Sequence, residues 1–231
     1  MNGHRPRLLL ASASPRRREL LADAGFKFDV VNPTVDEVSS CNFTLREATT
    51  WNALRKGLIV ARTHPDEVVL AADTLVELDG RVIGKPADRP QAARILRLLS
   101  GQTHVVASSV FIAHLRGGKS ENFTVLSRVV FKKLSDRMIE EYLARIDPLD
   151  KAGAYAAQGH GRAIIARIIG SRSNVIGLPM EKTRAALARF DIRRSARLTP
   201  NERPGLRSLR PLAPRAPHVF PAAGRDKGTR R

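Results

Sequence analysis

Residues Leu8 to Leu21 read LLLASASPRRRELL, an order of side chains that admits few local structures. The apolar run Leu8–Ala11 stops at Ser12-Ala13-Ser14-Pro15. Arg16, Arg17 and Arg18 follow, and Leu20, Leu21 and Ala24 then recur at helical spacing. The pattern is a buried strand, a small-residue turn and a helix whose first turn is cationic. Proline suits the first helical turn, because its missing N–H has no partner there in any case. Ser14 stands where a hydroxyl caps the free amides. Arginine at that end opposes the helix dipole. An anion held by free N–H groups and guanidinium forks removes the conflict, and phosphate is the usual such anion. A solvated basic helix start accounts for the segment equally well.

The rest of the chain repeats the alternation of strand and helix. Strands are predicted at Phe26–Val31, Val68–Ala72, His104–Leu115, Glu121–Phe131 and Ala163–Ile169. Leu75–Leu78 and Arg81–Ile83 make a hairpin across Asp79-Gly80, a strong turn signal. Helices are predicted at Arg16–Ala24, Thr44–Thr63, Arg89–Leu99, Asp136–Ala144 and Leu178–Phe190, and Pro33–Ser40 is a loop. In the long second helix, Trp51, Leu54, Leu58 and Ala61 form the apolar face. Strands alternating with helices, with hairpins added, imply an α/β fold on a mixed sheet.

Charge separates the chain into two parts. Its 231 residues suffice for one large α/β domain or two small ones, and 42% hydrophobic residues supply a core. The formal charge is +18, which raises the question of nucleic-acid binding. Residues 193–231 hold eleven Lys/Arg against two Asp/Glu, with six prolines and a single aromatic ring, Phe220. Such a segment buries too little surface to offset its ordering entropy, so residues 193–231 are expected to be a disordered basic tail. Its lack of interleaved aromatics limits the expected nucleic-acid contact to a weak one. Residues 1–192 then form the folded domain. A lone cysteine, Cys41, permits no internal disulfide and points to a reducing cytoplasm. No apolar run is long enough to be a membrane span.

Several residues carry possible chemistry. Asp73 is placed at the end of the apolar strand Val68–Ala72, and a carboxylate there faces the crevice where α/β proteins bind ligands. Asp36 and Glu37 lie in the loop after the second strand. Beside Asp73 and phosphate, such carboxylates hold a hard divalent cation or orient a water; apart from it they are ordinary solvation. Lys56, Lys85 and Lys151 are each surface lysines by default. With Arg16 and Arg17 they make a clamp for a triphosphate. In Gln158-Gly159-His160-Gly161 the Gln158 amide offers a donor and an acceptor to a base edge, although a plain connecting loop explains it as well. The chain has no Walker A motif, no Rossmann glycine fingerprint and no zinc-ligand spacing.

Taken in order, these pieces resemble the Maf family of nucleoside triphosphate pyrophosphatases. The matching segments are Ser12–Arg17, Asp36-Glu37, Lys56, Ala72-Asp73-Thr74, Gly84-Lys85-Pro86, Leu99–Gly101, Lys151–Tyr155 with Gln158-Gly159, and Asn174–Pro179. They span about residues 7 to 192. The resemblance implies a Maf/ITPase-like fold, a twisted mixed sheet flanked by helices with two lobes around a central cleft. It implies hydrolysis of a nucleoside triphosphate to the monophosphate and pyrophosphate with a divalent metal such as Mg²⁺ or Mn²⁺, and a homodimer. By analogy Asp73 is the proton acceptor, and Glu37, with Asp73, is the metal or water ligand. Ser12, Arg16, Arg17, Lys56, Thr74, Lys85, Lys151 and Gln158 are the substrate contacts by the same analogy.

With Arg16, Thr74, Lys151 and Gln158 the chain resembles the dTTP/UTP branch rather than the 7-methyl-GTP branch, and by the same resemblance Arg16, Thr74 and Gln158 are expected to set base choice. The resemblance also carries the expectation of nucleotide-pool house-cleaning and a link to arrest of cell division. Two alternatives are a pyrophosphatase for 7-methyl-GTP or noncanonical purine triphosphates, and a non-catalytic nucleotide-binding or nucleic-acid-binding regulator of septum formation. Gly57 departs from the family's usual alanine, which is expected to loosen the helix by roughly 1 kcal/mol. Ala107-Ser108-Ser109 replaces a stretch that usually contains threonine.

Overall fold

The computed structural model describes residues 6–37 and 43–194. Strand β1 is Leu8–Ala11 and helix α1 is Pro15–Asp23. Helix α1 ends in a Schellman closure: Gly25 has φ +82°, its N–H reaches the Ala22 carbonyl, and the Phe26 N–H reaches the Leu21 carbonyl. That closure takes Phe26 into the core, so β2 begins only at Asp29 and runs to Val31, three residues later than the alternation predicts. Helix α2 spans Leu45–Thr63 and starts with a reciprocal capping box between Thr44 and Glu47.

Strand β3 runs Val68–Leu78, through the point where the sequence pattern ends it, and turns at Asp79-Gly80 into β4, Arg81–Ile83. Then come α3 (Arg89–Leu99), β5 (Thr103–His114), β6 (Lys119–Phe131) and α4 (Asp136–Leu143). Two 3-10 turns, Ala152–Ala154 and Gly159–Ala163, precede β7, Ile165–Ile169, and the second of them displaces the expected strand start at Ala163. A five-residue helix, α5 (Arg172–Ile176), has no counterpart in the sequence reading. Pro179 then delays α6 to Met180–Arg189.

The strand order is β2-β1-β3-β5-β6-β7, with β4 paired to β3. Strands β1, β2 and β3 are mutually parallel neighbours, and every other pairing is antiparallel. The mixed sheet is the expected one. Alternate residues of the central strands feed opposite faces. Leu9, Ala11, Val69, Ala71, Phe111 and Ala113 pack under α2, whereas Leu8, Leu10, Leu70, Ala72 and Ile112 pack against α1 and α6. A third cluster, with Val76, Leu96, Val106, Val129, Ile139 and Tyr142, fills the far end of the sheet beneath α3 and α4. These are the cores of the two lobes.

Helix α2 is rotated relative to the expected apolar face. Trp51 is exposed, and the buried stripe is Ala48, Thr49, Asn52, Ala53, Lys56, Gly57, Val60 and Ala61. A stripe containing Asn52 and Lys56 is not what burial alone selects, and it marks the side of the helix that serves the site. Gly57 likewise has a packing reason. A Cβ there would lie 2.3 Å from Phe111 Cδ1 and 3.2 Å from Ala71 Cβ, so alanine would clash rather than tighten the helix. Among the described residues, no helix is long and apolar enough to cross a membrane. Cys41, part of the Pro33–Ser40 loop and nearly all of the basic tail lie outside the described residues.

Candidate active site

The cleft begins as a gap in the sheet. Strand β1 pairs with β3 only as far as Ala11 and Ala71, and β4 joins the same edge only from Val76. Asp73 and Thr74 fall between, paired on their other side with Ser109 and Ser108 of β5. Asp73 is therefore not at a strand terminus, as the sequence suggests, but in mid-strand at the place where the neighbouring strand has stopped. Alternation turns Asp73 toward α2 and Thr74 toward α1 and α5.

On the α2 side, Asn52 and Lys56 are one helical turn apart and address the same carboxylate. Lys56 Nζ donates to Asp73 Oδ1 at 2.7 Å, and Asn52 Nδ2 donates to Asp73 Oδ2 at 3.1 Å. All three residues are buried. Lys56 Nζ also donates to Glu37 Oε1 at 2.6 Å, and Lys85 Nζ donates to Glu37 Oε2 at 2.7 Å. Burial works to raise the Glu37 carboxyl, but the ammonium groups of Lys56 and Lys85 hold it at about 2. The Glu37 carboxylate is thus anionic across the physiological range and spanned by two lysines. Asp36 contributes through its backbone carbonyl, which accepts from Arg55 at 3.0 Å.

On the opposite face, Arg17 is buried and wired to neutral acceptors. Its Nε donates to the Gly177 carbonyl at 2.9 Å, Nη1 to Ser12 Oγ at 3.2 Å and Nη2 to Thr74 Oγ1 at 3.1 Å. Burial lowers the pKa of this guanidinium, against which Asp73 works to keep it charged. Thr74 Oγ1 lies 2.8 Å from Ser108 Oγ, and Ser108 donates to the Asn174 carbonyl at 2.9 Å. With the proton of Ser108 directed to Asn174, Thr74 accepts from Arg17, and its own proton is shared between Ser108 Oγ and the Gly177 carbonyl, 3.3 Å away. Gly177, with φ +131°, turns its carbonyl toward Arg17, a conformation that strains any side chain bearing a Cβ.

The rim is closed by an ion pair across the cleft. Arg16 Nη1 donates to Asp150 Oδ2 at 2.7 Å and Nη2 to the Asp150 carbonyl at 3.2 Å, while Lys151 Nζ donates to Asp150 Oδ1 and, at 2.6 Å, to the Asp147 carbonyl. Burial works to raise the Asp150 carboxyl, and Lys151 and Arg16 outweigh it, so the group titrates below the ordinary carboxylate range. Ser14 makes no side-chain cap, contrary to the sequence reading, and its own N–H donates to Ser12 Oγ at 3.2 Å. The first turn of α1, at the edge of the cavity, therefore has no side-chain cap from its N-cap residue.

Of the residues marked by sequence, Ser12, Arg16, Arg17, Glu37, Lys56, Asp73, Thr74 and Lys85 line one cavity of about 230 Å³. Lys151 stands behind Asp150 and is not part of the lining. Gln158, which precedes the second 3-10 turn, is not brought to the cavity. Of the three carboxylates in the lining, Asp150 is tied to Arg16 and Lys151 at the rim, and Glu37 and Asp73 face each other across Lys56. Among the described residues, no three His, Cys, Asp or Glu side chains converge as a ready metal cluster. Mg²⁺ is commonly held by one or two carboxylates plus substrate phosphates, and this pair fits that mode. The sequence reading missed Asn52, Ser108 and Asp150. Asn52 was open to detection as the residue one turn before Lys56.

Comparison with known proteins identifies the family. Residues 7–190 match the family model described as Maf-like protein. A dTTP/UTP pyrophosphatase of Akkermansia muciniphila is 43% identical over 175 residues, covering 76% of this chain and 92% of its own. Relatives bearing the same description from Anaeromyxobacter dehalogenans and Bdellovibrio bacteriovorus are 45% and 40% identical, covering 80% of this chain and 94% and 100% of theirs. Among solved structures, the Staphylococcus aureus Ham1 protein is 16% identical with a TM-score of 0.44, covering 79% of this chain and 98% of that one.

Proposed function

This chain belongs to the Maf family, and from that premise we propose that it hydrolyses dTTP and UTP to the monophosphate and pyrophosphate. The observation that carries the proposal is the placement of Asp73. A buried carboxylate in a sheet gap, braced by Asn52 and Lys56 within a basic cavity, suits general-base chemistry beside phosphate. A protein that only binds anions gains nothing from a carboxylate there, since it repels the ligand.

In this mechanism the triphosphate lies along the cationic wall made by Arg16, Arg17, Lys56 and Lys85. Asp73 takes a proton from the water that attacks the α-phosphorus, and the bond from that phosphorus to the bridging oxygen breaks. Pyrophosphate leaves with its added charge stabilised by the lysines and arginines. Glu37 and Asp73 would hold a divalent cation that neutralises phosphate charge when bound. Arg16 and Thr74 set base choice. Gln158 and Lys151 stay in the proposal on the strength of the family resemblance alone.

The folded domain is taken as residues 1–192. Ile192 still packs into the core, whereas Arg193 and Arg194 are exposed. Residues 193–231 are proposed to be a basic extension dispensable for hydrolysis. A cytoplasmic homodimer completes the reading.

The test is release of pyrophosphate from dTTP, UTP, CTP, GTP and 7-methyl-GTP with Mg²⁺ or Mn²⁺. The expected result is release from dTTP and UTP with monophosphate as co-product. Activity confined to 7-methyl-GTP overturns the roles of Arg16 and Thr74, and no release from any nucleotide overturns the enzyme.

A further inference from the structure

Lys56 differs from the other cations of the cleft in what its ammonium touches. Its ammonium touches both carboxylates that a cation would need, Glu37 Oε1 at 2.6 Å and Asp73 Oδ1 at 2.7 Å, and its side chain is only 9% exposed. Lys85, the other lysine on Glu37, reaches outward with 47% exposure. Lys56 instead stands on the buried stripe of α2 and lies between two anions. Two carboxylates brought together in a cleft repel each other and are costly to desolvate unless a cation joins them. In the nucleotide-free chain that cation is the lysine.

We infer that Lys56 is a built-in counter-ion that keeps divalent metal out of the empty cleft, so that metal and triphosphate are taken up together and metal does not bind first. The inference rests on the pyrophosphatase reading of the site. It follows from charge and from the competition for the same oxygens. The cavity lining holds four cations, Arg16, Arg17, Lys56 and Lys85, against three carboxylates, Glu37, Asp73 and Asp150. A divalent ion arriving alone adds to the positive excess and must displace an ammonium that has nowhere else to go. A triphosphate reverses the sign of the excess. It gives Lys56 and Lys85 new anionic partners, frees the oxygens of Glu37 and Asp73, and brings the further oxygen ligands that Mg²⁺ requires. The coupling is reciprocal, since whatever the nucleotide does for metal affinity the metal does for nucleotide affinity.

The experiment is Mn²⁺ binding to the full chain, read from the free-Mn²⁺ resonance by electron paramagnetic resonance, with no nucleotide present. The wild type should leave the signal unchanged. K56M should take up Mn²⁺ about tenfold more tightly or better, because a unit charge has been removed from the binding oxygens. The double variant K56M/E37Q should lose that gain. Tight Mn²⁺ uptake by the nucleotide-free wild type, or no gain on removing the lysine charge, overturns the inference. Should K56M not fold, K56Q, which keeps a donor for Asp73, supplies the variant arm, and the same gain is expected of it. Failure of the enzyme reading has a different signature: no nucleotide releases pyrophosphate, whatever Mn²⁺ does.

Discussion

Arg16 and Asp150, 134 residues apart in sequence, meet across the mouth of the cleft through a two-point contact. The carboxylate accepts one guanidinium nitrogen at 2.7 Å and the Asp150 carbonyl accepts the other at 3.2 Å. This contact fixes the plane of an arginine that otherwise has a mobile stem, and it leaves its remaining donors for the ligand. Lys151 is tied to the same carboxylate, so Asp150 keeps two cations of like sign side by side.

On the base-selecting role proposed for Arg16, Asp150 acts as a positioning residue, and D150N should separate binding from turnover. KM for dTTP and UTP should rise about fivefold, a modest effect because the pair is partly exposed to solvent. The preference for UTP over CTP should narrow, with kcat on dTTP nearly unchanged. Steady-state kinetics on the three nucleotides measure this. A uniform fall in kcat with KM and preference intact would assign Asp150 to folding alone.

Removal of the proposed base gives the opposite split. D73N keeps the shape of the side chain and its hydrogen bond to Asn52 after an amide flip, yet it is a poor proton acceptor. The expected loss in kcat is about 10² to 10⁴, the usual range for a general base. The melting temperature should stay near that of the wild type, because Glu37 remains as partner for Lys56. N52A, which removes the brace on Oδ2, should lower kcat by roughly tenfold with KM unchanged, since one hydrogen bond to a charged group is worth about 1.5 kcal/mol or more. Wild-type kcat in D73N would remove Asp73 from the mechanism.

Much of this site is legible in sequence because its parts are local. The strand, small turn and basic helix start at Leu8–Leu21 are a contiguous signal, and hydrophobic alternation places Asp73 beside the buried run Val68–Ala72. What escapes is whatever depends on neighbours distant in sequence. Strand β3 continues past Asp73 because β5 pairs with it as far as Glu77, and no local pattern announces that partner. Helix α2 presents Asn52 and Lys56 inward because Asp73 and Glu37 await them, which overrides the apolar stripe through Trp51 and Leu54. Asp150 sits next to Lys151 in sequence, yet its function depends on Arg16 at the other end of the domain.

Gly57 offers a test of packing against propensity. Helix propensity alone favours G57A by roughly 1 kcal/mol. The Cβ, however, would meet the Phe111 ring at 2.3 Å inside a filled core. Overpacking of this kind typically costs about 1 to 3 kcal/mol, so G57A should destabilise the protein. The double variant G57A/F111L, which trims the ring, should recover part of that loss and reveal a coupling between the two positions. Urea unfolding of the four proteins of this cycle measures both quantities. Stabilisation by G57A alone would show that the ring moves aside freely.

His104 makes the far lobe sensitive to acid. Its ring is fully buried, edge-on to Phe131 and Tyr155, with Nε2 2.8 Å from the Tyr155 hydroxyl and Nδ1 without a partner. Burial lowers the imidazole pKa from 6.5 to about 4. Between those values the unfolded chain binds a proton that the folded chain refuses. Stability contributed by the neutral ring is therefore complete above 6.5 and is lost as the pH falls toward 4. From about pH 7.5 to about pH 5 the loss from this one group is on the order of 2 kcal/mol. Glu37 adds to it only at lower pH, since its carboxyl shifts from 4.5 to about 2. Urea unfolding of the wild type and of H104Q at the two pH values isolates the term, because glutamine keeps a polar group for Tyr155 and does not titrate. The wild type should lose stability on acidification and the variant should lose about 2 kcal/mol less. Parallel losses in the two proteins would show that the buried imidazole is not the group that responds.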